Sequence, residues 1–362
     1  MQTNDTANSI LFTPIKLGEL ELKNRIIMAP LTRCRADSET RVPTDIMATY
    51  YQQRATAGLI ITEATSISPM GVGYPRTPGI WNAAQIEGWK KVTDSVHKAD
   101  GKILLQLWHV GRISDPIYLD GKLPLAPSAV KPQGHPSLIR PIRDFQTPQA
   151  MTQDEIKETI EAYRSAAINA KEAGFDGVEI HGANGYLLDQ FLQDSTNKRE
   201  DDYGGSLENR ARLMLEVTDA VVDVWGSSRV GMHLAPRCDA HDMGDSDPLA
   251  TFTYIAQELG KKKIAFIFAR ANLGNDNLAS KLKDAFAGPY IINQQLSKLE
   301  AEAAIELGFA DAAAWGQLFI ANPDLVERFK HNIKRNVPDS TTFYHEGREG
   351  YIDYPFIEDA VL

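Results

Sequence analysis

The sequence predicts an α/β protein, a single (β/α)8 TIM barrel, on three observations. Eight short apolar runs recur along the chain, longer amphipathic or alanine-rich segments separate them, and the glycine-rich GxGxxG turn that opens a doubly wound open sheet is missing. In chain order, a strand expected at 26–29 is followed by a helix at 46–57, and a strand at 59–64 by a helix at 86–97. The third strand, 103–108, leads into a Gly/Pro-rich excursion over 110–147 and then a helix at 156–173. Strands at 177–181 and 230–234 precede helices at 207–224 and 250–259. The remaining strands fall at 264–268, 290–293 and 312–316, with a helix at 299–307 before the last. Eight such repeats close a barrel, whose active site is built from loops at the carboxyl ends of the strands.

Barrels of this class use chains of this length as one domain, so residues 1–362 are read as one unit with two decorations. A segment at 11–25 has the look of an N-terminal β-hairpin. The long loop 110–147 is expected to lie over the active site, because loops of that length inside a compact domain are usually functional. Trp108, His109, Gly111 and Arg112 at its root favour that reading.

Composition excludes several classes. Hydrophobic residues at 43% and charged residues at 24% are ordinary for a globular protein. A net charge of −10 without a basic block argues against nucleic-acid binding, which needs clustered Lys and Arg. Cys34 and Cys238 stand far apart in no CxxC or Cys/His spacing, so neither a disulfide framework nor a zinc site is expected and a reducing cytoplasm suits the chain. No apolar run approaches the roughly 18 residues of a spanning helix, and no secretory signal pattern opens the chain.

The most informative stretch is 181–191, HGANGYLLDQF, directly after the fourth strand. His181 and Asn184 stand three apart, so in a turn their side chains can converge on one acceptor atom, and Tyr186 offers a phenolic proton beside them. That set suits polarising an oxygen and delivering a proton. Taken alone, such residues more often cap a loop or satisfy core groups.

Further segments decide the matter: NRIIMAPLTR at 24–33, Tyr50-Tyr51 with Arg54-Ala55, GLIITEAT at 58–65, QLWHVGR at 106–112, DYGGSLENR at 202–210, IANPDL at 320–325 and GYIDYP at 350–355. With these, the chain resembles the Old Yellow Enzyme family of flavin-dependent ene reductases almost end to end. The resemblance implies a barrel holding FMN at the strand ends, reduced by NADH or NADPH and then reducing an activated alkene. It assigns Ala29, Pro30, Leu31 and Thr32 to the flavin, with the Thr32 hydroxyl at the ring edge, and Ala64 and Gln106 to its pyrimidine side. His181 and Asn184 would hold the carbonyl or nitro oxygen of the substrate, and Tyr186 would protonate the carbon. Tyr74, Trp108 and Tyr351 would shape the substrate cavity. The chemistry is coherent: hydride addition builds negative charge on the conjugated oxygen, which two preplaced neutral donors stabilise, and a phenol of pKa about 10 stays protonated to act as the acid.

Three positions depart from the family pattern. His233 stands where an arginine faces the ring, Gln294 after Asn293 where a glycine admits the phosphate, and Gln317 after Gly316 where an arginine clamps it. Glutamine lacks the charge and planar fork of a guanidinium. Two lost charge-assisted bonds at roughly 1.5–3 kcal/mol each would weaken FMN affinity by about two to four orders of magnitude. The segment Phe268-Ala269-Arg270-Ala271-Asn272 also departs, and Arg270 or Lys281 are the candidates to replace the missing charge. The main reading is therefore a reductase of α,β-unsaturated carbonyls, maleimides or nitro compounds, monomeric or homodimeric, without nucleic-acid, membrane or metal partners. The alternative is a flavin-poor or flavin-free relative acting as a binding or scaffold protein. A metal- or Schiff-base-dependent aldolase-type barrel is disfavoured, since no lysine ends an expected strand and no metal-ligand cluster occurs.

Overall fold

In the computed structural model, which describes residues 9–237, 240–270 and 278–357, eight parallel strands close into a barrel. They are β1 (Ile26–Met28), β2 (Leu59–Ile61), β3 (Ile103–Trp108), β4 (Gly177–His181), β5 (Val230–Leu234), β6 (Phe266–Arg270), β7 (Tyr290–Asn293) and β8 (Ala312–Trp315). Each pairs with its successor, and β8 returns to β1 to complete the circle. These runs are buried on both faces, because one face fills the interior and the other meets the helices.

The helices outside are α1 (Asp45–Gln52), α2 (Ala83–Lys98), α3 (Gln153–Glu172), α4 (Leu187–Leu192), α5 (Leu207–Trp225), α6 (Pro248–Lys262), α7 (Leu278–Phe286), α8 (Lys298–Glu306), α9 (Gln317–Ala321) and α10 (Leu325–Lys330). Their starts follow capping chemistry. Thr152 with Glu155 and Ser297 with Glu300 form reciprocal capping boxes at α3 and α8, and Asp247 caps α6 ahead of Pro248 in its first turn.

One strand is displaced from its expected place. Helix α6 runs to Lys262 rather than 259 and ends on Lys263 in the left-handed conformation (φ 57°), so Ile264 and Ala265 become connection and β6 occupies 266–270 instead of 264–268. The slide puts Arg270 on the strand, as its last residue, rather than in the loop beyond it. Ala271, Asn272 and Cys238 lie outside the described residues.

The segment at 11–25 contains an antiparallel hairpin, Ile15–Leu17 with Leu20–Leu22. Leu17, Leu20 and Leu22 are buried in one cluster with Ile27, Ile61, Leu104, Phe268 and Ile291 of the barrel interior, and Glu19 N–H donates to the Ser228 carbonyl just before β5. The hairpin thus stoppers the amino-terminal end of the barrel. The excursion 110–147 covers the opposite end: Val110, Ile113 and Phe145 pack on Trp108 and Ala64. Arg112 ties it down by donating to the carbonyls of Val130, His241 and Asp242. Among the described residues, no helix is long and apolar enough to cross a membrane.

Inside, the β5–β6 register sets Gly231 opposite Phe266, where a Cβ would come within 2.2 Å of the Phe266 ring. Only glycine leaves that ring its place. Gly231→Ala is expected to destabilise the protein by about 1–3 kcal/mol through overpacking, read as a lowered urea midpoint at unchanged m. An unchanged midpoint would mean the ring moves without cost.

Candidate active site

Period-2 alternation and the strand register bring a set of polar side chains to the carboxyl end of the barrel. Gln106 on β3 sits opposite Glu179 on β4, His233 on β5 lies level with His181 and with Phe268, and Arg270 pairs with Asn293. A cavity of about 530 Å³ opens beside them, within the range of small-molecule sites. Its wall includes Ala29, Pro30 and Leu31 after β1, Asn184, His233 and Arg270, and the turns Asn293–Leu296 and Gly316–Leu318.

The turn after β4 is held from beneath by its own sequence. Asp189 accepts from Gly185 N–H at 2.8 Å, and the Gln190 side chain donates to the carbonyls of Gly185 and Val110 at 2.7 and 3.0 Å. Both residues are fully buried, so turn and excursion are locked together. Asn184 takes the left-handed conformation (φ 56°), one that asparagine tolerates.

These constraints fix the chemistry of His181. Its Nδ1 accepts from Ala183 N–H at 3.3 Å, which leaves the ring proton on Nε2. Burial pushes its pKa down to about 3, so it is a neutral N–H donor at any ordinary pH. Tyr186 stands edge-on to His181 and to Trp108, ring centroids 5.0 Å away in each case, and its hydroxyl is 3.0 Å from that of Tyr74. Tyr74 stacks on Trp108 at 5.6 Å, and burial raises its own phenol to about 12. Tyr74 therefore keeps its proton and can support Tyr186 as the latter gives one up.

Below this layer lies a second cluster. The Gln106 carboxamide donates to Glu179 Oε2 at 2.6 Å and approaches His233 Nδ1 at 3.2 Å. Burial pushes Glu179 up to about 8 and His233 well below the usual histidine value, so at neutral pH the uncharged form of each is favoured. His233 Nε2 is buried without a protein partner. With Nδ1 turned to the Gln106 amide, Nε2 carries the proton and offers a donor at the cavity wall. A planar ring with acceptor atoms along one edge fits that wall.

The far corner differs in kind. Gln294 and Gln295 both have positive φ, 127° and 51°, and the first lies where a Cβ is strained. Gly316 precedes α9, which begins at Gln317. Arg270 supplies the guanidinium on this wall. Lys281 does not reach it: it lines a surface hollow with Asp247 and Asp284 between α6 and α7.

Of the expected residues, His181 and Gln106 reach this cavity only through contact with His233 of its wall, Tyr186, Tyr74, Trp108 and Ala64 lie beyond them, and two more also fall off the lining. Thr32 follows the cavity wall as a partly exposed residue of the chain leaving β1 and is not part of the lining. Tyr351, expected at the cavity, is fully buried behind it, stacked on Tyr50 at 4.1 Å and flanked by Arg33 and Arg35. The cause is the anchoring of the tail: Arg33 donates to the carbonyls of Phe343 and Gly350, and Arg35 to those of Thr342 and Glu349. Tyr344 reaches the cavity wall in its place. His241 was also missed; its Nδ1 donates to the Asn184 carbonyl at 2.7 Å and its ring lies 5.2 Å from Tyr186. Ala64 is buried against Trp108.

The chain matches the family model described as NADH:flavin oxidoreductase / NADH oxidase over residues 10–336. It is 45% identical to 12-oxophytodienoate reductase 1 of Oryza sativa subsp. japonica across 96% of this chain and 93% of the relative. It is 42% identical to a probable flavin mononucleotide-dependent alkene reductase of Leishmania infantum, across 96% and 98%. Among solved structures, morphinone reductase in complex with tetrahydroNAD superposes with TM-score 0.93 at 45% identity, covering 98% of this chain and 99% of that one. An old yellow enzyme homologue from Zymomonas mobilis superposes with TM-score 0.92 at 43% identity, covering 95% and 99%.

With a pKa held near 3, the His181 imidazole should keep its Nε2–H tautomer in 15N NMR spectra from pH 5 to pH 8. A titration of His181 near pH 6 would contradict this.

Proposed function

The chain belongs to the NADH:flavin oxidoreductase / NADH oxidase family, that of the Old Yellow Enzymes, and from that membership we propose that it is an FMN-dependent ene reductase. It reduces the activated carbon–carbon double bond of an α,β-unsaturated carbonyl compound, a maleimide or a nitroalkene, with NADH or NADPH as the reductant. FMN, when bound, supplies the hydride. The observation that carries the reading is the pairing of a neutral Nε2–H donor on His181 with the Asn184 carboxamide on one turn, next to a phenol.

The chain's own residues do the rest. His181 Nε2–H and the Asn184 amide grip the substrate oxygen and stabilise the negative charge that develops on it as the double bond is attacked. Tyr186 delivers a proton to carbon, and the Tyr74 hydroxyl at 3.0 Å donates to the phenolate left behind. Trp108, stacked with Tyr74, walls the site against water.

For the cofactor, Ala29, Pro30, Leu31, Ala64 and Gln106 would hold the ring, with the orphaned His233 Nε2–H at its pyrimidine edge. Thr32 would touch the ring edge. Asn293, Gly316 and Gln317 would meet the phosphate with uncharged donors, so binding is expected to be weaker than a guanidinium clamp provides. A flavin-free scaffold has the glutamine at position 317 in its favour and nothing else, and the Arg270 guanidinium lies on the same wall. We place the enzyme in the cytoplasm, in keeping with the buried free thiol of Cys34, as a monomer or homodimer.

Two measurements test this. Tyr186→Phe should slow the oxidative half-reaction with an enone by about 10²-fold while leaving reduction by NADPH less affected in stopped flow; equal loss in both halves would remove Tyr186 from the acid role. Gln317→Arg should tighten FMN binding by about ten-fold or more in equilibrium dialysis. If the wild-type protein shows neither a flavin spectrum nor saturable FMN binding, the reductase reading fails.

A further inference from the structure

We propose that Arg270 is a positioning residue for the substrate: its guanidinium fixes which end of the Asn184 carboxamide meets the substrate oxygen. The proposal rests on the reading of Asn184 given above. A carboxamide is nearly symmetric in shape but not in chemistry. Its NH2 end donates to an oxygen, its C=O end repels one, and its terminal torsion is broad and two-fold, so nothing intrinsic selects the useful end.

Here the selection comes from across the barrel mouth. Arg270 Nη1 donates to Asn184 Oδ1 at 3.0 Å. A guanidinium has five N–H donors and no acceptor, so only the carboxamide oxygen can face it. The NH2 end is then turned away from Arg270. The main chain of Asn184 is held separately, at φ 56° and with its carbonyl taking the His241 Nδ1 proton at 2.7 Å, which leaves the carboxamide flip as the freedom that Arg270 removes.

Arg270 is itself placed with care. It is the last residue of β6, two and four positions after the inward-facing Phe268 and Phe266, so period-2 alternation carries it over the barrel interior. Its Nε donates to Gln294 Oε1 at 2.9 Å, fixing the plane of the fork from the β7 side. The bond to Asn184 is charge-assisted, and a cation on the carboxamide oxygen polarises the group so that its N–H becomes a better donor toward a developing oxyanion. The strained turn at Gln294 (φ 127°) presents the oxygen that steadies the fork.

The test uses the FMN-loaded protein, with cyclohex-2-enone turnover and binding of the saturated ketone cyclohexanone as two readouts. Arg270→Met should cut kcat/KM for the enone and affinity for the ketone by about ten-fold, the usual scale of one hydrogen bond to a charged group. Arg270→Lys should recover most of both, because an ammonium also donates and cannot accept. In a double-mutant cycle, Arg270→Met added to Asn184→Ala should cause no further loss, since its effect passes through that amide. Additive losses, a lysine variant as poor as methionine, or an Arg270→Met protein that binds ketone like wild type would each overturn the proposal. Loss of FMN from Arg270→Met, read at the flavin absorbance, would overturn it too and put the guanidinium at the cofactor. A wild-type protein that binds FMN and ketone but does not reduce the enone would sink the functional reading alone, and the ketone cycle would still decide the role of Arg270.

Discussion

Desolvation at the carboxyl end of the barrel governs what this site can do. Apart from the Arg270 guanidinium, burial favours the neutral form of the ionisable groups named on this wall and beneath it: His181 near 3, Glu179 near 8, Tyr74 near 12, and His233 well below the ordinary histidine value. An array of neutral donors stabilises charge that appears during a reaction without binding charge that was there before it. The same burial makes each orphaned atom costly, so Gln106 bridges Glu179 and His233 and the turn after β4 is tied down by Asp189 and Gln190.

Register turns this chemistry into geometry. Because the strands are parallel and in fixed pairing, His181, His233 and Phe268 lie level around the wall, with Arg270 one inward step higher. The hairpin plug at the opposite end fills the interior there with leucine. Loops then add what the wall lacks: the excursion brings apolar cover, and the loop after β5 brings His241 onto the turn after β4.

The strands were legible in the sequence because each is a short, fully buried run, and the turn from His181 to Tyr186 because three different polar groups follow one such run. The place of β6 was not, since a helix ending on a left-handed lysine gives no glycine signal at Lys263. The burial of Tyr351 was not legible for another reason: the arginines that draw the tail inward lie more than 300 residues before it, at Arg33 and Arg35, and their partners are carbonyls that carry no sequence signature. The contact between Arg270 and Asn184 spans 86 positions and depends on the β6 slide, so no local pattern could reveal it.

The way the tail is fastened bears on how such a site diversifies. Arg33, Arg35 and Arg76 grip main-chain oxygens of Thr342, Phe343, Tyr344, Glu349 and Gly350, groups that every amino acid possesses. At position 344 the grip is on the carbonyl, so there the fastening is indifferent to the side chain it carries past the cavity rim. Position 344 can be exchanged for a larger, smaller or more polar residue while the strap stays where it is, which leaves the choice of guest molecule open to drift without endangering the house.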